Sequence, residues 1–97
     1  MEDKLFVGHG RLDLHIGNCQ SLKDKRRVIK SLKEKLRNHY NIAICEFGDL
    51  SLWQRTQLAF VTCGNDKSIV DSTMKKVIDF LDKTHLVSLL DFKMEII

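Results

Sequence analysis

The basic side chains of this 97-residue chain are concentrated in a single segment. Residues 23–37 hold eight of the 16 lysines and arginines and only two acidic residues, although the net charge of the whole chain is only +3. Several cations on one helix face can neutralise successive phosphates of a nucleic acid. The segment therefore predicts a surface for a polyanion, with RNA as the favoured partner. The cations assigned to this surface are Lys23, Lys25, Arg26, Arg27, Lys30, Lys33 and Arg37.

Four of these cations recur at the spacing of one helix face, and we call them the basic stripe: Arg26, Lys30, Lys33 and Arg37. Lysine and arginine are also good helix formers, so the alternative is a solvated helix face without a partner. Only Glu34 offers acidic pairing within the stripe, which favours a binding surface. The cations at residues 23–27 also face the positive end of the helix dipole, at a cost of up to roughly 0.3–1 kcal/mol each. An anion bound at the helix N-terminus would offset that cost.

A second candidate group is the sequence Trp53-Gln54-Arg55, which lies between two apolar, β-prone runs. A tryptophan flanked by glutamine and arginine can stack on a base and hold a phosphate. The alternative is a tryptophan that folds back over the edge of the core. Both interpretations stay open at this point, and the predicted nucleic-acid interface includes all three residues.

No group of residues predicts catalysis, a metal or a cofactor. His9 and His15 share a strand face but lie about 20 Å apart at ~3.3 Å per residue, too far to bind one metal ion. Neither of the glycine-rich nucleotide-binding motifs, the P-loop or the dinucleotide fingerprint, is present. The loop over residues 17–21 lacks the Phe-Arg ending of acylphosphatases, and the first strand lacks the stacking aromatics of an RNA-recognition motif. We therefore predict a non-enzymatic module.

Apolar residues recur with the periods of strands and helices, and these periods predict six elements. A serine followed three residues later by an acidic residue marks the start of the first helix. In chain order, the predicted elements are a strand over residues 4–16, a helix from Ser21 to near His39, strands over residues 41–47 and 57–63, a helix after the turn at residues 64–66, and a strand over residues 89–97.

The order β-α-β-β-α-β predicts a ferredoxin-like α+β sandwich, in which two helices cover one face of a four-stranded antiparallel sheet. The length of the chain and the absence of a linker predict a single domain over residues 1–97. Alternation in the first strand places Arg11, Asp13 and His15 on the open face of the sheet. In the last strand, alternation predicts four residues facing the core: Leu90, Phe92, Met94 and Ile96.

This topology brings the start of the first helix and two connections to one end of the sandwich. Two other functions stay open at this point. One is a small-molecule or anion site, which could be enzymatic, with Lys23, Arg55 and His85 as ligands. The other is an oligomerising adaptor that pairs through the open sheet face. The residues expected at the shared end are Asn18, Gln20, Ser21, Lys23, Trp53, Gln54, Arg55, Lys83 and His85.

Cysteine usage and hydropathy predict a cytoplasmic protein with no membrane partner. Cys19, Cys45 and Cys63 are odd in number and widely spaced, which favours buried reduced thiols over disulfides. No secretory leader pattern is present, and no apolar run approaches the ~20 residues of a membrane span.

Two motifs resemble those of a known family. The segments SLKDKRRVIKSLKEKLR, at residues 21–37, and LWQR, at residues 52–55, with Glu46 and Gly48-Asp49 between them, resemble the YlxP-like family of small bacterial proteins, a domain of unknown function. Ser51 stands where such proteins often carry an acidic residue. The resemblance implies a ferredoxin-like fold and a gene neighbourhood among translation-initiation and ribosome-maturation factors, hence a ribosomal RNA partner. The family has no assigned catalytic residues to carry over.

Overall fold

The computed structural model describes residues 3–97, and its six elements follow the predicted order. The antiparallel sheet and the two helices confirm the ferredoxin-like α+β fold. The elements are β1 (Phe6–His15), α1 (Leu22–His39), β2 (Ala43–Gly48), β3 (Arg55–Gly64), α2 (Lys67–Lys83) and β4 (Ser88–Ile96).

Both helices begin at capping side chains. The Ser21 hydroxyl accepts the Asp24 backbone N–H at 3.0 Å, and the Asp24 carboxylate accepts the backbone N–H of Gln20 at 3.4 Å. These bonds satisfy donors that the first turn of α1 leaves without a partner. In α2 the N-cap is Asp66, whose carboxylate accepts the backbone N–H and the hydroxyl of Ser68. The predicted starts of both helices are therefore confirmed.

The strands form one sheet in the order β2-β3-β1-β4, with every neighbouring pair antiparallel. The face covered by the helices carries the alternate residues of β1, of which Leu12 and Leu14 are buried. α1 packs against β2, while α2 lies against β1, β3 and β4. The strands β2 and β4 are consequently the two edges of the sheet.

Glycine allows a close approach at the centre of β1. A Cβ atom built on Gly10 would overlap the ring of Phe60 on β3. At Gly8, the same atom would overlap Met74 of α2, and it would lie 2.9 Å from Cγ1 of Val70. The absence of side chains at these two positions therefore lets Phe60 and α2 fill the core above the sheet.

The predicted core positions in β4 are only partly right. Met94 and Ile96 pack against the core, but Leu90 and Phe92 are 50 % and 44 % exposed. The register explains the difference, because Asp13 faces Asp91 while Leu14 faces Leu89, which leaves Leu90 as an unpaired bulge residue. Phe92 lies opposite Leu12 but on an edge strand, where no further strand covers it.

The expectation of three buried thiols is also wrong. Cys19 is buried, whereas Cys45 and Cys63 are exposed, and all three are free. Cys45 lies opposite Ala59 on the open face of the sheet, where no helix covers it. Within residues 3–97, neither helix combines the length and the apolar character that crossing a membrane requires.

Candidate nucleic-acid interface

The basic stripe lies on the flank of α1 that faces away from α2. The buried line of α1 contains Ile29, Leu32 and Leu36, and the stripe is rotated about 100° from it at 100° per residue. On the opposite flank, Lys35 lines a groove with residues of α2. The stripe therefore follows the side of α1 that lies over the outer strand β2.

The side chains of the stripe face solvent. Arg26, Lys30 and Arg37 are exposed, and Lys33 is half-buried. Within residues 3–97, no carboxylate lies within ion-pair distance of any stripe cation, nor of Lys23 or Arg27. Six cations of α1 are thus available to an external anion.

Lys25 behaves differently and corrects the predicted interface. Its side chain is 3 % exposed, and its ammonium group lies 3.0 Å from Glu46 Oε2 and 2.6 Å from the carbonyl oxygen of Asp49. The Thr56 hydroxyl donates to the same carboxylate at 2.5 Å. Lys25 is therefore an internal residue rather than a phosphate contact. These acceptors also offset the cost of a cation near the helix N-terminus.

The sequence contained a signal for this buried pair. Lys25 precedes Ile29 by four residues and so continues the apolar line of α1 by one turn. Glu46 follows Ile44 by two residues and so shares the helix-facing side of β2. A lysine and a glutamate at core-facing positions of neighbouring elements are expected to pair, because a lone buried charge is costly.

The start of α1 and the β2–β3 connection meet, as the topology predicted. The backbone N–H of Ile16 donates to the Gln54 carbonyl at 2.9 Å, and the Gln54 side-chain amide donates to the Cys19 carbonyl at 3.2 Å. Asn18 and Asp49 adopt left-handed backbone angles, with φ of 58° and 57°. Such conformations persist where surrounding contacts fix them, and here both lie in the two joined connections.

Trp53 does not fold back over the core, so the alternative interpretation of this residue is wrong. It is 52 % exposed, and its neighbours Leu50 and Leu52 are 61 % and 48 % exposed. The loop backbone is bonded to Lys25 of α1 at Asp49 and to Ile16, which follows β1, at Gln54, so the indole is presented to solvent from a fixed loop.

Gln54 and Arg55 are committed to internal contacts. The Gln54 amide holds the loop before α1 through its bond to the Cys19 carbonyl. The Nη2 atom of Arg55 lies 2.9 Å and 2.8 Å from the two carboxylate oxygens of Asp13 on the neighbouring strand. The Arg55 side chain remains 44 % exposed, while its Nε atom is buried and has no hydrogen-bond partner within residues 3–97. Of the predicted triplet, only Trp53 makes no side-chain hydrogen bond within residues 3–97, and it is 52 % exposed.

Lys83 and His85 contribute to a different surface from the Trp53 loop. They line the groove between the helices together with Lys35 and Tyr40, near the C-terminus of α1. The predicted ligands of the alternative anion site therefore do not form one site, because Arg55 is paired with Asp13 while His85 lines the groove.

The open sheet face is polar along β1 and β4 and apolar along β2 and β3. His9 contacts Glu95 at 3.5 Å, and the Arg11 guanidinium lies 5.6 Å from the centre of the Phe47 ring. The exposed Val61 of β3 lies opposite Ala43 of β2. The residues that the sequence assigned to this face, Arg11, Asp13 and His15, are thus placed there, and of the three only Asp13 has an ion-pair partner within residues 3–97, which is Arg55.

Comparison with known proteins identifies the fold and the family. Among solved structures, the fold is similar to that of the de novo designed protein Foldit4, with a TM-score of 0.55, 11 % identity and coverage of 97 % of each chain. At that identity the likeness concerns the fold alone. The sequence is 28 % identical over 77 residues to the uncharacterized protein YlxP of Bacillus subtilis (strain 168), covering 79 % of this chain and 84 % of the relative. The model of the DUF503 family, described as a protein of unknown function, matches residues 7–94, so the chain belongs to that family and the resemblance is confirmed.

Proposed function

We propose that this protein is a non-enzymatic RNA-binding module that associates with ribosomal RNA in the cytoplasm. The observation that carries the proposal is a group of six unpaired cations on α1, five of them exposed and Lys33 half-buried, together with an exposed tryptophan on a fixed loop. The stripe supplies contacts to the sugar-phosphate backbone, and Trp53 supplies a stacking surface for an unpaired base.

The geometry of the stripe suits a nucleic-acid strand. Arg26 and Arg37 are eleven residues apart, which places them about 16 Å apart along the helix axis at 1.5 Å per residue. At an axial rise of about 3.4 Å per phosphate on one strand, that length spans about five phosphate steps. The four cations of the stripe therefore cover a stretch of about five phosphates.

An exposed aromatic side chain favours single-stranded RNA over a duplex. Bases in loops and bulges are free to stack on an aromatic ring, whereas paired bases in a duplex are already stacked. Stacking on a protein ring contributes about 1–3 kcal/mol per base. We therefore expect tighter binding to a looped or single-stranded ribosomal RNA fragment than to a duplex of the same length.

The direct test is fluorescence anisotropy with a labelled single-stranded fragment of ribosomal RNA. The variant Arg26/Lys30/Lys33/Arg37→Gln removes the stripe but keeps good helix formers. At about 0.1 M salt we expect it to bind about two to three orders of magnitude more weakly, because four phosphate contacts are lost.

A charge-matched variant controls for net charge. Lys4/Lys67/Lys75/Lys93→Gln also removes four exposed cations, but all of them lie outside α1. We expect it to bind RNA within about threefold of the parent protein. An equal loss of RNA affinity in both variants would show that binding depends only on the net charge of the protein, which would contradict the proposal.

The single tryptophan of the chain provides a second signal. If Trp53 stacks on a base, its emission is quenched as RNA binds, with the same dissociation constant as the anisotropy change. Saturable RNA binding without any change in emission would remove Trp53 from the interface while leaving the role of the stripe intact.

A further inference from the structure

A groove of about 550 Å³ separates the two helices on the side of the protein opposite the sheet's open face. Its volume is within the range of about 300–1,000 Å³ that is typical of small-molecule sites. Residues from the end of α1, from α2 and from the α2–β4 connection line it, among them Lys35, Tyr40, Lys76, Phe80, Lys83 and His85.

Aromatic side chains form the apolar part of this groove. The rings of Tyr40 and Phe80 meet edge to face, with centroids 6.5 Å apart and an interplanar angle of 82°. His39 extends the cluster at 6.1 Å from Tyr40 and 6.2 Å from Phe80. Both Tyr40 and Phe80 are only half-buried, so part of each ring is available to a planar ligand.

Cations surround the aromatic part. Lys35, Lys76 and Lys83 line the groove against one carboxylate, that of Asp79. The Lys83–Asp79 pair is 3.6 Å long, and its side chains are 78 % and 70 % exposed, so the pair is weak. Within residues 3–97, Lys35 and Lys76 have no carboxylate at ion-pair distance. The three lysines and Asp79 carry a net charge of +2.

From this combination we infer that the groove binds a nucleoside phosphate, with the base against Tyr40 and Phe80 and the phosphate between Lys35, Lys76 and Lys83. A phosphate monoester carries about −1.5 to −2 charges at neutral pH, which matches the net charge of the groove. The same unit occurs as a free nucleotide and as an unstacked nucleotide of RNA. Because Lys35 lies on the opposite flank of α1 from the basic stripe, the inference does not depend on the proposed function.

The test is a titration followed by the amide resonances of the ¹⁵N-labelled protein. The ligands are adenosine 5′-monophosphate, adenosine and ribose 5-phosphate. We expect adenosine 5′-monophosphate to shift the amides that line the groove, with a dissociation constant of about 0.1–1 mM, as an open groove and a small ligand imply. Adenosine and ribose 5-phosphate should each bind about tenfold more weakly, because each lacks one of the two recognised parts.

Neighbouring lysines of α2 provide a matched pair of variants. Lys76→Gln removes a groove cation and should weaken adenosine 5′-monophosphate about tenfold. Lys75→Gln, one residue away, removes a cation that pairs with Asp71 at 2.8 Å outside the groove. Because Lys75 does not line the groove, this substitution should change the affinity for adenosine 5′-monophosphate less than twofold. Equal effects of the two substitutions would overturn the inference.

RNA and the stripe variant distinguish the sources of the ligand and separate this inference from the proposed function. Groove amides that shift with single-stranded RNA, and then move to their positions in the adenosine 5′-monophosphate complex when that nucleotide is added in excess, identify an RNA nucleotide as the occupant. Groove amides that shift with the nucleotide alone identify a free nucleotide. The stripe variant should lose RNA and keep the nucleotide. An absence of shifts up to about 5 mM nucleotide, or identical shifts with ribose 5-phosphate, would contradict the inference while leaving RNA binding by the stripe untouched.

Discussion

The buried ion pair of Lys25 and Glu46 joins α1 to β2, and its contribution to the stability of the protein can be measured directly. The perturbation is Lys25→Met, which keeps the volume and helix propensity of the side chain but removes its charge. It leaves the Glu46 carboxylate without its cation and removes one of the two donors to the Asp49 carbonyl, which keeps the Leu52 backbone N–H.

The expected magnitude follows from burial. Removing one partner of a buried ion pair costs about 3–5 kcal/mol. The Glu46 side chain is still 22 % exposed and keeps the Thr56 hydroxyl, so we expect the lower end, about 3 kcal/mol. For a domain of this size, each kcal/mol lowers the melting temperature by about 4–8 °C, so the variant should melt about 12–24 °C lower.

The assay is urea unfolding of a double-mutant cycle, read by circular dichroism. Glu46→Leu alone should be at least as costly, since it leaves a buried ammonium group. The double variant Lys25→Met/Glu46→Leu should recover about 2 kcal/mol relative to the sum of the single variants. Lys23→Met, two residues away on the exposed face of the same turn, is the control and should lie within about 0.5 kcal/mol of the parent.

Two results would refute this reasoning. A cost below about 1 kcal/mol for Lys25→Met would be typical of a surface pair, and the lysine would then be mobile in solution. Strictly additive single substitutions would mean that the two charges do not interact, whatever the total loss of stability.

Three further predictions concern separate contacts. Gly10→Ala should lower the free energy of unfolding in urea by about 1–3 kcal/mol, because the new methyl group overlaps the Phe60 ring. An unchanged free energy of unfolding would show that the core has room for a methyl group at this position. Arg55→Gln should cost less than about 1 kcal/mol, because its pair with Asp13 is partly exposed, and a larger loss would contradict that description. Hydrogen bonds from the Ser68 hydroxyl and backbone N–H lower the pKa of Asp66 below its ordinary value of 3.8. The ionised carboxylate therefore contributes stability above pH 3.8, and this contribution is lost as the pH falls through the lowered pKa of the folded state. Asp66→Asn has no carboxylate to titrate at this position. The parent protein should therefore lose stability relative to this variant when the pH falls below ~4. A difference in stability that does not change with pH would contradict the lowered pKa of Asp66.

The features that the sequence predicted correctly are those that depend on the spacing of residues close together in the chain. Caps at Ser21 and Asp66, the alternation around Leu12 and the helical period of α1 each specify an element without reference to the rest of the chain. Together with the chain order, these local signals were enough for the topology and for the position of the basic stripe.

What the sequence did not predict depends on pairs of elements. Lys25 was assigned to the surface because a lysine is usually exposed. Its alignment with Ile29 was a signal for burial, but the approach of β2 to α1 is what places Glu46 beside it. The exposure of Leu90 depends on a one-residue bulge, which alternation within β4 cannot reveal. Cys45 is exposed because its face of the sheet has no covering layer, again a property of the assembled fold.

The salt dependence of RNA affinity tests the role of α1 most directly. Log-log plots for single-stranded RNA have a slope of about −0.7 per neutralised phosphate. The four cations of the basic stripe together with Lys23 and Arg27 therefore predict a slope of about −4 for the parent protein. Removing Arg26, Lys30, Lys33 and Arg37 should reduce the steepness by about 2.8, whereas the charge-matched variant outside α1 should keep the slope of the parent. A stripe variant as salt-sensitive as the parent would show that the phosphates are bound elsewhere.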